Sequence, residues 1–304
     1  MKIKALLATI ISAVALQGVI AGEWCPPACE DKCPVECCPD QNGSVSVGYE
    51  TDYIFYGVRL ARDSVWADVN YTFDICCLPV TIGAWHLSSL GSGLPNADGF
   101  GDETDLYVNV GLPSICGFDL NLGYTHYMYP TTRLPQGAAG PLVGDSTNEL
   151  SLTISREIWC GLNLTYRAAH DFNMPSAGST GVEPQNNTDD GAWVQTIGLD
   201  KTFDINDCIA LDLSAGVLHT DNYWTNLQNA QAGNTRNSGW NSYYIQAALP
   251  VSIGCNATLT PYVGYNGSPD GWITDGLNGI NHPGNTGANA NDVLHGGVSI
   301  SVGF

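Results

Sequence analysis

From Ser44 to the C-terminus, apolar and polar residues alternate with a period of two. In DVLHGGVSISVGF (292–304), Leu294, Val298, Ile300, Val302 and Phe304 share one face, and His295, Gly297, Ser299, Ser301 and Gly303 share the other. Such alternation belongs to a β-strand with one apolar and one polar side. FDLNLGYTHYMY (118–129), LNLTYRAAHD (162–171) and IALDLSAGVLHT (209–220) repeat it. About twelve segments follow the pattern, roughly 44–57, 65–75, 78–89, 102–115, 118–130, 147–158, 162–173, 191–205, 209–224, 238–253, 256–268 and 292–304. At about 11–16 residues they exceed the strands typical of soluble sheets and suffice to cross a bilayer at a tilt.

The connections sort into two classes. After strands two, four, six, eight and ten they are tiny: Cys76-Cys77, Cys116-Gly117, Trp159-Cys160-Gly161, Asn206-Asp207-Cys208 and Gly254-Cys255. After strands three, five, seven, nine and eleven they are long and rich in Gly, Asn and Pro, as in GSGLPNADGFG (91–101). An even strand count with short turns at one end and long loops at the other predicts an all-β fold: a transmembrane antiparallel up-and-down β-barrel of about 12 strands, with short periplasmic turns and long extracellular loops. A soluble sandwich has shorter strands and no such sorting. A propeller blade needs four short strands, whereas each repeat of the turn cysteines holds two long ones. Tyr53, Phe55, Tyr124, Trp193, Tyr243 and Tyr265 lie near strand ends on the apolar side, where interfacial girdles are expected.

Composition narrows the compartment and the partners. Lys2 and Lys4 precede an apolar run, Ala5 to Ala15, and Val19-Ile20-Ala21 forms a cleavage site, so residues 1–21 read as a secretory signal peptide. A Cys-rich periplasmic segment, 22–43, then precedes the barrel, 44–304. Of 304 residues, 10 are Lys or Arg and 30 are Asp or Glu. Nucleic acid is excluded as a partner, because phosphate backbones are bound mainly through Lys and Arg. The expected partner is outer-membrane lipid. A homo-oligomer is compatible with this reading, and the expected location is the bacterial cell outer membrane with both termini periplasmic.

The chain ends in Phe304 behind alternating apolar residues, and this resembles the C-terminal signal by which bacterial barrels are recognised for outer-membrane insertion. The first strand, SVGYETDYIFYGVRLARDS (46–64), is similar to the opening of an uncharacterised proteobacterial outer-membrane barrel family, with Tyr56 where that pattern has Arg. DETDLYVNVGL (102–112) also resembles that family's acidic strand start. The cysteine usage resembles that of cysteine-rich porin-like barrels of the chlamydia-type envelope, in which disulfides cross-link the outer membrane. That resemblance implies a structural partnership with other cysteine-rich envelope proteins.

Eleven cysteines in an exported chain point to disulfides. Cys25, Cys29, Cys33, Cys37 and Cys38 lie in the N-terminal segment, and Cys76, Cys77, Cys116, Cys160, Cys208 and Cys255 lie in or beside the short turns. With both termini periplasmic, all eleven fall in one layer. Bridges within the chain and bridges to envelope partners both remain open, and the odd count favours some of the latter. Metal is set aside, since Pro26, Pro27 and Pro34 argue against a regular ligand-bearing helix. No cofactor is expected.

With the apolar face towards lipid, the lumen-lining candidates are Glu50, Asp52, Asp68, Asp105, Asp119, Glu149, Arg167, Asp200, Asp212 and His295. Rings of carboxylates favour cations, so the expected function is a porin-like channel for small hydrophilic solutes or ions with weak cation preference. The alternatives are a closed lumen filled by mutually bonded polar groups, and a non-conducting envelope protein that acts through its disulfides. An enzyme is not expected, because the six His are scattered and His126, His170 and His219 fall on the lipid side. Segment DGFGDETD (98–105) has oxygen ligands for calcium without a specific loop spacing, and reads as a solvated acidic loop.

Overall fold

The computed structural model describes residues 42–90, 102–128, 146–172, 192–221, 238–267 and 292–304. The export signal, the Cys-rich segment and the long loops lie outside the described residues. The strands are β1 (Gly43–Phe55), β2 (Val58–Ile75), β3 (Leu78–Ser89), β4 (Asp102–Ile115), β5 (Phe118–Met128), β6 (Ser146–Trp159), β7 (Leu162–Asp171), β8 (Ala192–Asn206), β9 (Ile209–Asp221), β10 (Ser238–Ala248, resumed at Val251–Ser252), β11 (Ala257–Gly267) and β12 (Asp292–Gly303). The break in β10 falls at Leu249-Pro250, where proline has no N–H for the ladder. The Leu249 N–H still donates to the Pro261 carbonyl at 2.9 Å, and the Pro250 carbonyl accepts from Ala210, so the wall stays continuous.

Each strand pairs antiparallel with its neighbours in sequence, and β12 pairs with β1 from Ser44↔Gly303 to Glu50↔Gly297. The result is a closed twelve-stranded antiparallel barrel. Closure leaves no free edge among these strands, which is one of the two ways a chain can satisfy its backbone inside lipid. Phe304 helps seal the seam: its carbonyl accepts from the N–H groups of Asn42 and Gly43, and its own N–H donates to Gly43 at 2.9 Å. Glycine suits position 43, because a Cβ there would sit 2.7 Å from the Phe304 ring and 2.9 Å from the Asn70 carbonyl oxygen.

The alternation resolves into an outside and an inside. Val45, Val47, Val65, Val69, Ile82, Leu106, Leu152, Ile197, Ile245 and Val298 stand exposed around the whole wall. A continuous apolar band on this scale is far larger than the patches a soluble monomer exposes. At its turn-end rim, Arg156 lies over the Phe118 ring, and the Lys201 ammonium over Trp159 and Phe203. No helix among the described residues is long and apolar enough to cross a membrane, which says nothing of a barrel.

One boundary differs from the sequence pattern. β2 begins at Val58, not near residue 65, because Tyr56 and Gly57 form a two-residue turn with φ of 48° and 81°. The first connection at the loop end is therefore a tight hairpin.

Candidate functional site in the barrel lumen

The site begins where hairpin β1–β2 leaves the wall. β1 is paired to β12 only as far as Glu50, and β2 is paired to β3 only from Ser64. Residues 51–63 are laddered to each other alone, through Asp52↔Arg62, Tyr53↔Ala61, a register shift, then Ile54↔Arg59 and Phe55↔Val58. Asp63 takes a left-handed backbone, φ 51°, at the bend. Its carbonyl accepts from the Leu90 N–H at 2.7 Å, and its carboxylate accepts from the Tyr49 hydroxyl at 2.6 Å. A bulge bends and twists the strand that carries it. Here bulge and bend turn the hairpin into the barrel.

The tip lands on the opposite wall. The Tyr56 hydroxyl donates to Glu149 Oε2 at 2.6 Å and accepts from Arg167 Nη1 at 2.7 Å. Arg167 Nη2 closes the triangle on Glu149 Oε1, and the guanidinium lies 5.6 Å from the Tyr56 ring centre. Glu149 is buried at 2% exposure, so its charge depends on these partners. Phe55 and Tyr56, with Tyr244, pack on the buried Ala169, Val194 and Leu218 of β7, β8 and β9. Gly57 sits so close to β10 that a Cβ on it would lie 2.1 Å from Ser242 Oγ.

This arrangement corrects the placement of two aromatics. Tyr53 and Phe55 are not on the lipid side. Tyr53 is buried against Trp85 with ring centres 5.6 Å apart, and Phe55 meets Tyr127 edge-on at the same separation. Strict alternation from Val45, Val47 and Tyr49 would point both outward, but the inward bend of the hairpin carries them into the lumen.

Carboxylates gather beside the hairpin. Glu50 accepts from the Tyr262 hydroxyl at 3.2 Å, and Asp52 accepts from Thr51 at 2.9 Å. Glu103, opposite the buried Leu87, is fully buried. Tyr53 and Asp105 are the polar groups that Glu103 meets, and neither reaches its oxygens with hydrogen-bond geometry. Both Glu103 oxygens, Asp105 Oδ1 and Glu50 Oε1 therefore have no hydrogen-bond partner among the described residues. Asp105 is among the lumen candidates of the sequence and Glu103 is not, although both lie on the same phase of β4. The signal was there in the alternation of DETD (102–105).

The other candidates are spread along the wall. Asp68 accepts from Tyr107 and Asn70, Asp119 from Ser114, Asp200 from Asn163 and Asp212 from Thr202. His295 Nε2 bonds with Asn266 at 2.8 Å. These are mutually bonded polar linings rather than a converging cluster. His126, His170 and His219 sit with Tyr124, Trp193 and Trp240 at the loop-end rim, away from the hairpin triangle. Among the described residues no three His, Cys, Asp or Glu converge in a metal-binding group.

At the other end, the described cysteines occupy the turns. Cys76, Cys77, Cys116 and Cys160 have positive φ, and Cys76, Cys77 and Cys116 present exposed free thiols. Two successive left-handed residues match the twist of a two-residue hairpin, a geometry that normally selects Asn-Gly or Gly-Gly. Phe304, also at this end, is exposed on the barrel surface.

The barrel is similar to a crystal structure of an outer-membrane channel from Pseudomonas putida F1, with TM-score 0.50 and 8% identity over 90% of this chain and 99% of that one. The chain has the fold of an outer-membrane β-barrel. The KdgM porin in complex with disordered oligogalacturonate (TM-score 0.44, 8% identity, 86% and 99% covered) and the NanC porin (0.43, 12%, 86% and 98%) are also similar. Identities this low carry the fold and nothing finer. No family model and no curated protein matches the chain, so neither the first-strand resemblance nor the cysteine-rich one gains a family.

Proposed function

We propose that this chain is an outer-membrane channel for passive diffusion of small hydrophilic solutes or ions, weakly cation-preferring, with both termini in the periplasm. The observation that carries the reading is the charge inside the loop-end half. Glu50, Asp52, Glu103, Asp105 and Glu149 lie there against Arg167, which Glu149 already neutralises, and Arg62, opposite Asp52 on the hairpin. Arg156 and Lys201, by contrast, lie over rim aromatics at the turn end. A lumen with surplus carboxylates lowers the barrier for cations and raises it for anions. The sequestration of Glu149 and Arg167 in a hairpin contact, and the rim position of the histidines, argue for transport over catalysis.

The test is reversal potential in planar bilayers under a KCl gradient, using refolded protein. A potential of cation-selective sign is expected. No conductance under any condition, or anion selectivity, overturns the proposal.

A second reading accompanies it for the turn end. We propose that the turn cysteines bond to the N-terminal cysteines or to envelope partners, because exposed thiols in an oxidising space react. Migration of membrane extracts on non-reducing gels as a monomer, with every thiol open to alkylation, would end that reading.

A further inference from the structure

We propose that hairpin 51–63 is a gate, held shut by a latch in which Tyr56 bridges Glu149 and Arg167. The inference rests on the channel reading and names its regulation.

Three observations support a two-position element. First, the hairpin is already detached: it has lost its ladder to β12 after Glu50 and to β3 before Ser64, and it pairs only with itself. Among the described residues, its remaining backbone ties to the neighbouring strands are at its roots, where the Asp63 and Arg62 carbonyls accept from the Leu90 N–H and the Ser89 hydroxyl, and the Thr51 hydroxyl accepts from the Gly296 N–H. Second, the backbone is irregular at two places, a left-handed Asp63 at the β2 root and a register shift after Tyr53 midway to the tip. A hinge is a short stretch at an element's end that absorbs a large dihedral change. Third, forces on the closed position are opposed. The latch and the Phe55 contacts hold the tip on the far wall. Against them, the closed hairpin covers Glu103 and its neighbour Asp105, whose unpartnered oxygens would regain water if Tyr53 withdrew. A packed element pulled both ways has two discrete arrangements rather than a continuum.

The sequence separation supports the same conclusion. Tyr56 meets residues 93 and 111 positions away, across the lumen. A hydroxyl placed between a carboxylate and a guanidinium forms two charge-assisted hydrogen bonds, the stronger kind. Through these two bonds Tyr56 couples the hairpin to the buried charges of β6 and β7.

The gate predicts effects of opposite sign. Tyr56→Phe removes both hydroxyl bonds while keeping the ring, and should raise the open fraction roughly tenfold or more in single-channel recordings, since bonds to charged groups are of that strength. Glu103→Leu with Asp105→Ala removes the covered unpartnered oxygens and should lower the open fraction. A variant with residues 54–60 replaced by Asn-Gly, which lets Tyr53 and Ala61 close directly on a two-residue turn, should conduct constantly. Heat-modifiable gel mobility checks that each variant forms a barrel. If the shortened variant conducts constantly but Tyr56→Phe matches the unmodified protein, the latch is overturned. If all four proteins conduct alike, the gate is overturned while the channel stands. If the shortened variant forms a barrel and never conducts, the channel reading itself falls.

Discussion

Tyr56-Gly57 joins β1 to β2 at the loop end, and Cys160-Gly161 joins β6 to β7 at the turn end. Both place two successive residues in the left-handed region, with φ of 48° and 81° in the first and 39° and 76° in the second. The surroundings are opposite. A Cβ on Gly161 would meet nothing within 4 Å, whereas one on Gly57 would collide with Ser242 across the lumen. The local turn decides only that the chain reverses. Where the tip goes depends on the strand edges beside it. Hairpin β6–β7 is paired on both flanks near its turn, through Asp119↔Ser155 and Leu162↔Lys201, and stays in the wall. Hairpin β1–β2 is released on both flanks and folds inward.

The largest effect expected from breaking this comparison is at Gly57. Gly57→Ala adds the same methyl group as Gly161→Ala, and both pay for a left-handed non-glycine residue at about 1–2 kcal/mol. Only the first also displaces the tip from Ser242. Arg59 and Arg62 lie in the hairpin, so trypsin applied to proteoliposomes reads its position. New cleavage within 51–63 is expected for Gly57→Ala and none for Gly161→Ala. Equal resistance in both would mean that the tip tolerates the collision without leaving its seat.

A smaller, all-or-none difference separates the two ends by access. Cys76, Cys77 and Cys116 are exposed and free, and they lie at the end where both chain termini of the barrel meet. After reduction of disulfides, a membrane-impermeant maleimide should leave them unlabelled in intact cells and label them once the outer membrane is permeabilised. Labelling of intact cells would reverse the proposed orientation and place the proposed gate on the periplasmic side.

The barrel was legible in sequence because period-two alternation and the sorting of connections are local, repeated signals. Twelve strands were expected and twelve are found, with β10 interrupted only at Pro250. Asp68, Asp119, Asp200 and Asp212 share the polar phase of that alternation and stand beside hydroxyl or amide partners. The gate was not legible. Tyr53 and Phe55 carry the phase of lipid-facing residues, and only the loss of two flanking ladders, which lets the hairpin bend inward, reverses it. Those are tertiary events. Nothing in YETDYIFYGVRLARD (49–63) announces that Tyr56 will find Glu149 and Arg167, because those partners are distant in the chain and become neighbours only when the barrel closes. Glu103 was missed for a simpler reason: it stands at a strand end next to a loop, where acidic residues are ordinarily solvated.

The smallest expected effect sharpens the comparison at the turn end. Cys76 and Cys77 form a turn in which neither position is glycine, with φ of 49° and 67°. Asn-Gly is the pair this geometry favours, and replacing both cysteines by it should stabilise the barrel by about 1 kcal/mol, after glycine's own entropy is set against the relief of left-handed strain. The midpoint of urea unfolding in detergent, compared under reducing conditions so that no disulfide contributes, would register the gain. At the hairpin tip the corresponding position is already glycine, and no such reserve exists. A stabilised Cys76→Asn, Cys77→Gly variant would mean that the turn carries strain for the sake of its thiols, as expected where chemistry rather than folding sets the residue. An unchanged midpoint would remove that argument, because cysteine would then be as good a turn residue here as any, and its presence at the turns would call for no reaction to explain it.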